Sequence, residues 1–275
     1  MGQDSTHGIE DSSFTGPIPA AYDRYLVPLL FEPYAGPISA AIAALHPTRM
    51  LETAAGTGVV TRELARVLPP SCSIVATDIN QAMIDVALER SISENVAWQA
   101  CDATRLPFGD REFDVVACQF GVMFFPDKDA AFREVSRVLR PGGSFVFLVW
   151  DSLEHNASTR IAEDVMTERY PDNPSMFLRR VPFGYHDTAL IAEQLRTAGF
   201  DEVETEVVAL RAHAPSALHA ARGLCQGTPL RGEIIDREPD GLDEVTAAVA
   251  AALEGELGGG ELTDTVQAIL VTARI

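Results

Sequence analysis

RMLETAAGTGVVTRELARVL (49–68) sheds its side-chain bulk just where a strand should hand over to a helix. An apolar run ends in Glu52 and passes through Thr53-Ala54-Ala55-Gly56-Thr57-Gly58. It then takes up helical spacing, with Val59, Leu64, Val67 and Leu68 toward a core. Small residues at such a turn let a ligand come against the backbone, and the following helix offers free N–H groups. Close packing of helix on strand would strip the turn too, so the flanking chain must decide between the two.

Outward from the turn the pattern alternates. Residues 49–53 read as a strand, 58–68 as a helix, SCSIVATD (71–78) as a second strand and 81–90 as a second helix. VAWQACD, FDVVACQF and GGSFVFLVW supply three more strands. AAFREVSRVL is the helix between the last two, and Pro141-Gly142-Gly143 introduces the fifth strand. Strands parted by helical stretches of roughly 10–15 residues mean βαβ units and a parallel sheet covered on both faces. DTALIAEQLRTAGF then reads as a helix with a glycine stop, VETEVVAL as a sixth strand, and TVQAILVTARI as a seventh with no helix after it.

The expected fold is therefore α/β: a Rossmann-like, seven-stranded, mostly parallel sheet with helices on both faces and helical cap insertions. Residues 1–18 are expected as a flexible tail, and 19–48 as short, proline-interrupted helices closing over the site. Residues 49–150 form the α/β core and 151–186 a helical cap. Residues 187–275 complete the sheet, with a helical insertion at 211–262.

Composition narrows the function. The chain has 275 residues, 47% of them hydrophobic, and carries 40 acidic against 21 basic side chains for a net charge of −19. That balance opposes nucleic-acid backbones and anionic lipid surfaces. Without a run of about 18 apolar residues no membrane span is expected. The polar start lacks the pattern of a secretory signal, so a cytoplasmic location is expected. Cys72, Cys101, Cys118 and Cys225 have no metal spacing, and no His pair does either, so no metal is expected.

The turn gains meaning from what stands at the later strand ends. Asp78 closes the second strand, where a carboxylate can accept from a ribose diol. Ile79 beside it can pack on a base. Asp102 and Ala103 follow the third strand, and Gln119 and Phe120 end the fourth at the same sheet edge. E-x-A-x-G-x-G, the Asp after strand two, Cys-Asp-Ala after strand three, F-D-V-V with F-P-D, and L-R-P-G-G together resemble a class I S-adenosylmethionine-dependent methyltransferase of the type-11 group. That group includes enzymes similar to those of quinone biosynthesis.

The resemblance is strong over 49–150 and weaker toward both ends. It implies an antiparallel last strand inserted between the fifth and sixth. It also implies that Glu52, Ala54, Gly56 and Gly58 line the methionine end of S-adenosylmethionine, while Asp78 holds the ribose. Ile79 and Met83 would flank the adenine, Asp102 and Ala103 would reach its edge, Gln119 and Phe120 would lie beneath the sulfonium, and Tyr22 or Tyr25 would close over the site. Ala54 departs from the pattern, since the family often has glycine there. A nicotinamide-dinucleotide site fits less well, because Thr61 stands where G-x-G-x-x-G needs its third glycine.

Methyl transfer from a sulfonium needs orientation, exclusion of water and, for some acceptors, a base. Histidine is the default candidate. His155 and His186, in or beside the cap, are the catalytic candidates, and Arg179 or Arg180 could steer an acid group. The expected substrate is a small hydrophobic or aromatic metabolite bearing an O, N or C nucleophile, and the expected product is S-adenosylhomocysteine. Homodimerisation is left open. The same fold could instead run a non-methylating, cyclase-like reaction or sense the cofactor.

Overall fold

The computed structural model describes residues 14–90 and 93–275, so most of the expected tail lies outside the described residues. Seven strands form one sheet in the order β3-β2-β1-β4-β5-β7-β6. They are β1 (Arg49–Glu52), β2 (Ser73–Asp78), β3 (Val96–Ala100), β4 (Phe113–Gln119), β5 (Leu139–Trp150), β6 (Glu202–Ala214) and β7 (Leu262–Arg274). Strands β1 to β5 pair in parallel, with Leu51 opposite both Val75 and Val116. β7 runs against its neighbour β5: Gly142 and Gly143 bond Ile275 at one end, and Asp151 bonds Gln267 at the other. The expected fold is thus present, with the antiparallel strand inserted between β5 and β6.

The chain divides into two compact units. One comprises Tyr34–Val149, His186–Val208 and Ala268–Ile275, the other Met1–Pro33, Trp150–Tyr185 and Ala209–Gln267. The first holds most of the sheet. Its helices include α2 (Glu32–Ala43, mostly in this unit), α3 (Val59–Val67), α4 (Gln81–Leu88), α5 (Lys128–Val138) and α8 (Thr188–Thr197). Phe113, Phe132, Phe145, Phe147 and Phe200 are fully buried there. Phe145 and Phe147 lie 4.6 Å apart, and each such ring withdrawn from water contributes about 1.5–3 kcal/mol.

The second unit is helical, built from α6 (Ala157–Arg169), α7 (Phe177–Arg180), α9 (Ala217–Gln226), α10 (Leu230–Arg237) and α11 (Leu242–Leu257). α9 packs on α11 and on a π-helical segment, Tyr22–Phe31, which follows α1 (Ile18–Ala21). Glycines set that approach. A Cβ on Gly223 would stand 3.1 Å from the Tyr25 carbonyl oxygen, and one on Gly227 3.0 Å from Tyr22 Cα. Val245, Val249 and Leu253 of α11 are buried, as their three-and-four spacing implies.

Two expectations need correction. The prolines do not divide the N-terminal region into separate short helices, since helix runs from Ile18 to Ala43. Pro28 sits inside the π segment, whose wider turns take a ring that a regular α turn rejects. By length and composition this stretch could cross a membrane, with a mean hydropathy of 1.3, although half of it is buried inside the protein. In the second correction, the insertion begins as strand rather than helix. Ala212 and Ala214 are buried while Arg211 and His213 are exposed, and that two-residue period extends β6 to Ala214.

Candidate active site

The glycine-bearing turn is held by its backbone. Thr53 N–H donates to the Ala117 carbonyl at 2.9 Å, and Ala55 N–H to the Thr77 carbonyl at 2.9 Å. Ala54, Gly56 and Gly58 all take positive φ (51°, 57° and 79°), so the chain coils left-handed with little bulk above it. Gly58 caps α3, and a Cβ there would meet Trp98 at 2.9 Å. The methyl group of Ala54 is accommodated because residue 121 is glycine, whose own Cβ would collide with it. Thr57 Oγ1 is buried with no hydrogen-bond partner, the kind of atom a polar ligand in the turn would satisfy.

Asp78 joins two loops at the end of β2. Its carboxylate accepts from Gly56 N–H at 2.9 Å with one oxygen and from Asn80 N–H at 2.8 Å with the other. The Asn80 side-chain amide also donates to Oδ1, at 3.5 Å, so of the carboxylate's roughly four acceptor sites it is Oδ2, beside Gly56, that has room for a hydroxyl. Burial raises its pKa, against those backbone bonds. Ile79, next to it, is 58% exposed, an apolar surface bare at the strand end, while Met83 is buried beneath α4. Asp102 accepts from Thr104 N–H at 2.8 Å to shape the turn after β3, and Ala103 is buried behind it. At the end of β4, Gln119 is buried and Phe120 takes φ 55°, its ring edge-on to Tyr34 at 5.2 Å. The unit thus brings Glu52, Ala54, Gly56, Gly58, Asp78, Ile79, Gln119 and Phe120 to consecutive strand ends.

Glu52 is buried and accepts from Thr61 Oγ1 at 2.6 Å. Burial pushes its pKa up to about 8, despite the Thr61 bond and nearby Arg62. In the other unit, burial pushes Glu163 up to about 7. Both start from 4.5 when exposed. Between that value and the folded ones, the folded chain keeps protons that the unfolded chain has released. Stability therefore falls as pH rises through this window, by about 1.4 kcal/mol per pH unit for each such carboxyl. Asp114 acts oppositely. Burial raises its pKa, but bonds from Thr48, Arg49 and Arg140 outweigh that and hold it near about 2, so its contribution is lost on acidification. Urea unfolding is expected to show greater stability at pH 5 than at pH 8, and Glu52→Gln should flatten that slope. An unchanged slope in the variant would refute the assignment to Glu52.

The helical unit holds most of the remaining candidates. His155 Nδ1 lies 2.9 Å from Asp151 Oδ2. A carboxylate only accepts, so Nδ1 carries the proton and Nε2 is left as the basic nitrogen. Asn156, fully buried, fixes this turn: its amide donates to the Ser152 and Gln267 carbonyls and accepts from Gln267 N–H. His155 lines an open groove of about 400 Å³ with Glu154, Arg211, Thr265 and Gln267. His186 is exposed just before α8, in the sheet unit. Tyr25, on the π segment, lies edge-on to His219 at 4.9 Å. Arg179 is not free to steer a substrate acid, because it pairs with Glu154 at 2.9 Å. Among the described residues no cluster of His, Cys, Asp and Glu could hold a metal ion.

Sequence reasoning missed Thr57, Thr61, Gly121 and Asn156, whose roles rest on contacts that no local pattern announces. Asp151 was within reach, since its spacing of four from His155 is visible in the chain.

Residues 51–147 match the family described as a methyltransferase domain. These residues are a class I S-adenosylmethionine-dependent methyltransferase domain. The ubiquinone/menaquinone biosynthesis C-methyltransferase UbiE of Pseudomonas paraeruginosa is 41% identical over 104 residues, which cover 36% of this chain and 41% of the relative. The chain thus spans less than half the length of that relative. Among solved structures, phosphoethanolamine N-methyltransferase 2 of Haemonchus contortus, bound to phosphomonomethylethanolamine and S-adenosylhomocysteine, gives a TM-score of 0.59. Identity is 18% over 97% of this chain and 59% of that one. The [4+2]-cyclase SpnF gives 0.54 at 21% identity over 88% of this chain and 80% of its own. At such identities the two structures speak for the fold alone. S-adenosylmethionine is the cofactor of the domain, and the small-residue turn, the orphaned Thr57 hydroxyl and the Asp78 carboxylate at the β2 end fit it.

Proposed function

We propose that the protein transfers the methyl group of S-adenosylmethionine to an oxygen, nitrogen or carbon nucleophile of a small molecule, in the cytoplasm. The observation that carries this is Asp78, which ties the glycine turn to the β2 end and presents its Oδ2 beside the bare Ile79. S-adenosylmethionine supplies a methyl group on a sulfonium, so the chain's work is binding, orientation and proton handling. Glu52, Ala54, Gly56 and Gly58 line the methionine end and Asp78 takes the ribose hydroxyls. Ile79 and Met83 flank the base, Asp102 and Ala103 meet its edge, and Gln119 and Phe120 lie under the sulfonium.

His155, held by Asp151, is the side chain best set to take a proton from a hydroxyl or amine. The groove around it is lined almost wholly by polar side chains, which favours a metabolite with hydrogen-bonding groups around any apolar or aromatic body. His155→Asn is expected to lower kcat by about 100-fold or more without changing affinity for S-adenosylhomocysteine. An unchanged kcat would remove the histidine from the reaction.

Isothermal titration with S-adenosylmethionine and S-adenosylhomocysteine, followed by an acceptor screen read as S-adenosylhomocysteine release, tests the whole reading. Because a cyclase shares this fold, turnover of a substrate without that release would move the protein to a non-methylating reaction. Binding with no turnover of any substrate would suit a cofactor sensor.

A further inference from the structure

We propose that Arg24, Arg222 and His219, gathered around Tyr25, form a binding site for the oxyanion group, phosphate or carboxylate, of a small-molecule ligand. The Arg24 guanidinium lies 5.1 Å from the Tyr25 ring centre and that of Arg222 6.0 Å from it. The His219 ring stands edge-on to the same tyrosine at 4.9 Å. Neither arginine has a carboxylate partner among the described residues. Arg137, Arg160, Arg169 and Arg179 all have one. What sets this pair apart is that both of its unneutralised guanidinium groups stand over one ring. They repel each other, and a shared oxyanion turns that repulsion into attraction.

The scaffold holds the cluster in place. Arg24 and Tyr25 lie on the π segment and His219 and Arg222 on α9, two elements locked together by the close approaches at Gly223 and Gly227. A π-helical stretch of this kind is uncommon and is found mostly at functional sites. The packed backbone sets where the two exposed arginine side chains start from, so an anion has only their rotamers to order. Each guanidinium can meet an oxyanion with two parallel N–H bonds. His219 has its pKa lowered by burial and then by Arg24 and Arg222. An anion between the arginines reverses that electrostatic part, and protonated His219 becomes a further donor. The site stands independently of the methyl-transfer reading.

The test follows the His219 ring proton by NMR in the full chain at constant ionic strength, titrating with inorganic phosphate and, separately, with acetate against chloride. The expected result is a saturable shift and a rise in the His219 pKa. Arg66→Gln should leave it unchanged, and Arg24→Gln with Arg222→Gln should weaken it about tenfold or more. Tighter saturation by phosphate assigns a phosphorylated ligand, and tighter saturation by acetate a carboxylate. No saturable response to either anion, or an equal response in the double variant, overturns the proposal. S-adenosylhomocysteine titrated into the same samples separates the two ideas: failure of the wild type to bind it would strike the methyl-transfer reading and leave the anion site standing.

Discussion

Asp78→Ala is expected to abolish measurable binding of S-adenosylmethionine and S-adenosylhomocysteine and to lower stability as well. The side chain has two jobs. Inside the fold it neutralises Gly56 N–H and Asn80 N–H, and alanine leaves the first of these buried without a partner, at a cost of about 1–3 kcal/mol. Toward the ligand it offers charged acceptors to a ribose diol, each such bond contributing about 1.5–3 kcal/mol, so its loss weakens binding by about 100-fold or more. Asp78→Asn separates the two jobs. One amide oxygen can still accept from one loop, but the amide nitrogen now faces a donor. The asparagine variant should therefore fold better than the alanine variant and bind nearly as poorly. Calorimetry beside thermal unfolding checks both, and full binding by well-folded Asp78→Asn would remove this carboxylate from the cofactor site.

That division of labour marks what the sequence could and could not reveal. Asp78 was legible because strand periodicity places it at the end of β2, and every α/β sheet binds at such ends. Ile79 followed from the same position. The strands themselves were legible from alternation, down to β7, whose missing helix set it apart. The bond from Gly56 was not legible, because only the β1–β2 pairing brings residues 56 and 78 together, whereas the one from Asn80 is a local turn two residues long. The N-terminal helix was misread for a different reason. Proline rules describe the α turn, and the chain uses a π turn at Pro28, while Pro37 is carried inside the α-helix Glu32–Ala43. His155 could be named from its residue type, but its tautomer follows from Asp151 and its anchoring from Asn156, which is buried against the start of β7. Residues at strand ends are periodic and readable, whereas the setting of His155 depends on the packing of inserted helices.

Gly121→Ala should be the most damaging single-methyl change in the domain. The new Cβ would collide with the Ala54 methyl and stand 2.7 Å from Cys118 Sγ. Cys118 is fully buried at the end of β4, and the β1 end is pinned by the Thr53 to Ala117 bond, so neither side can yield cheaply. Overpacking of this kind costs about 1–3 kcal/mol or more. The strain falls on the turn proposed to receive the methionine end of the cofactor, so cofactor affinity should drop along with the unfolding midpoint. Ala54 explains the arrangement. It holds φ 51° where glycine would be unstrained, and the methyl that glycine would lack is absorbed by the missing one at residue 121. The two positions are therefore complementary. Ala54→Gly alone should be close to neutral, as relief of left-handed strain offsets the gain in unfolded-state freedom. Combined with Gly121→Ala it should restore part of the lost stability, with a coupling of about 1 kcal/mol. The Cys118 contact keeps the rescue incomplete, so strictly additive effects in urea unfolding would show that residues 54 and 121 do not share this space.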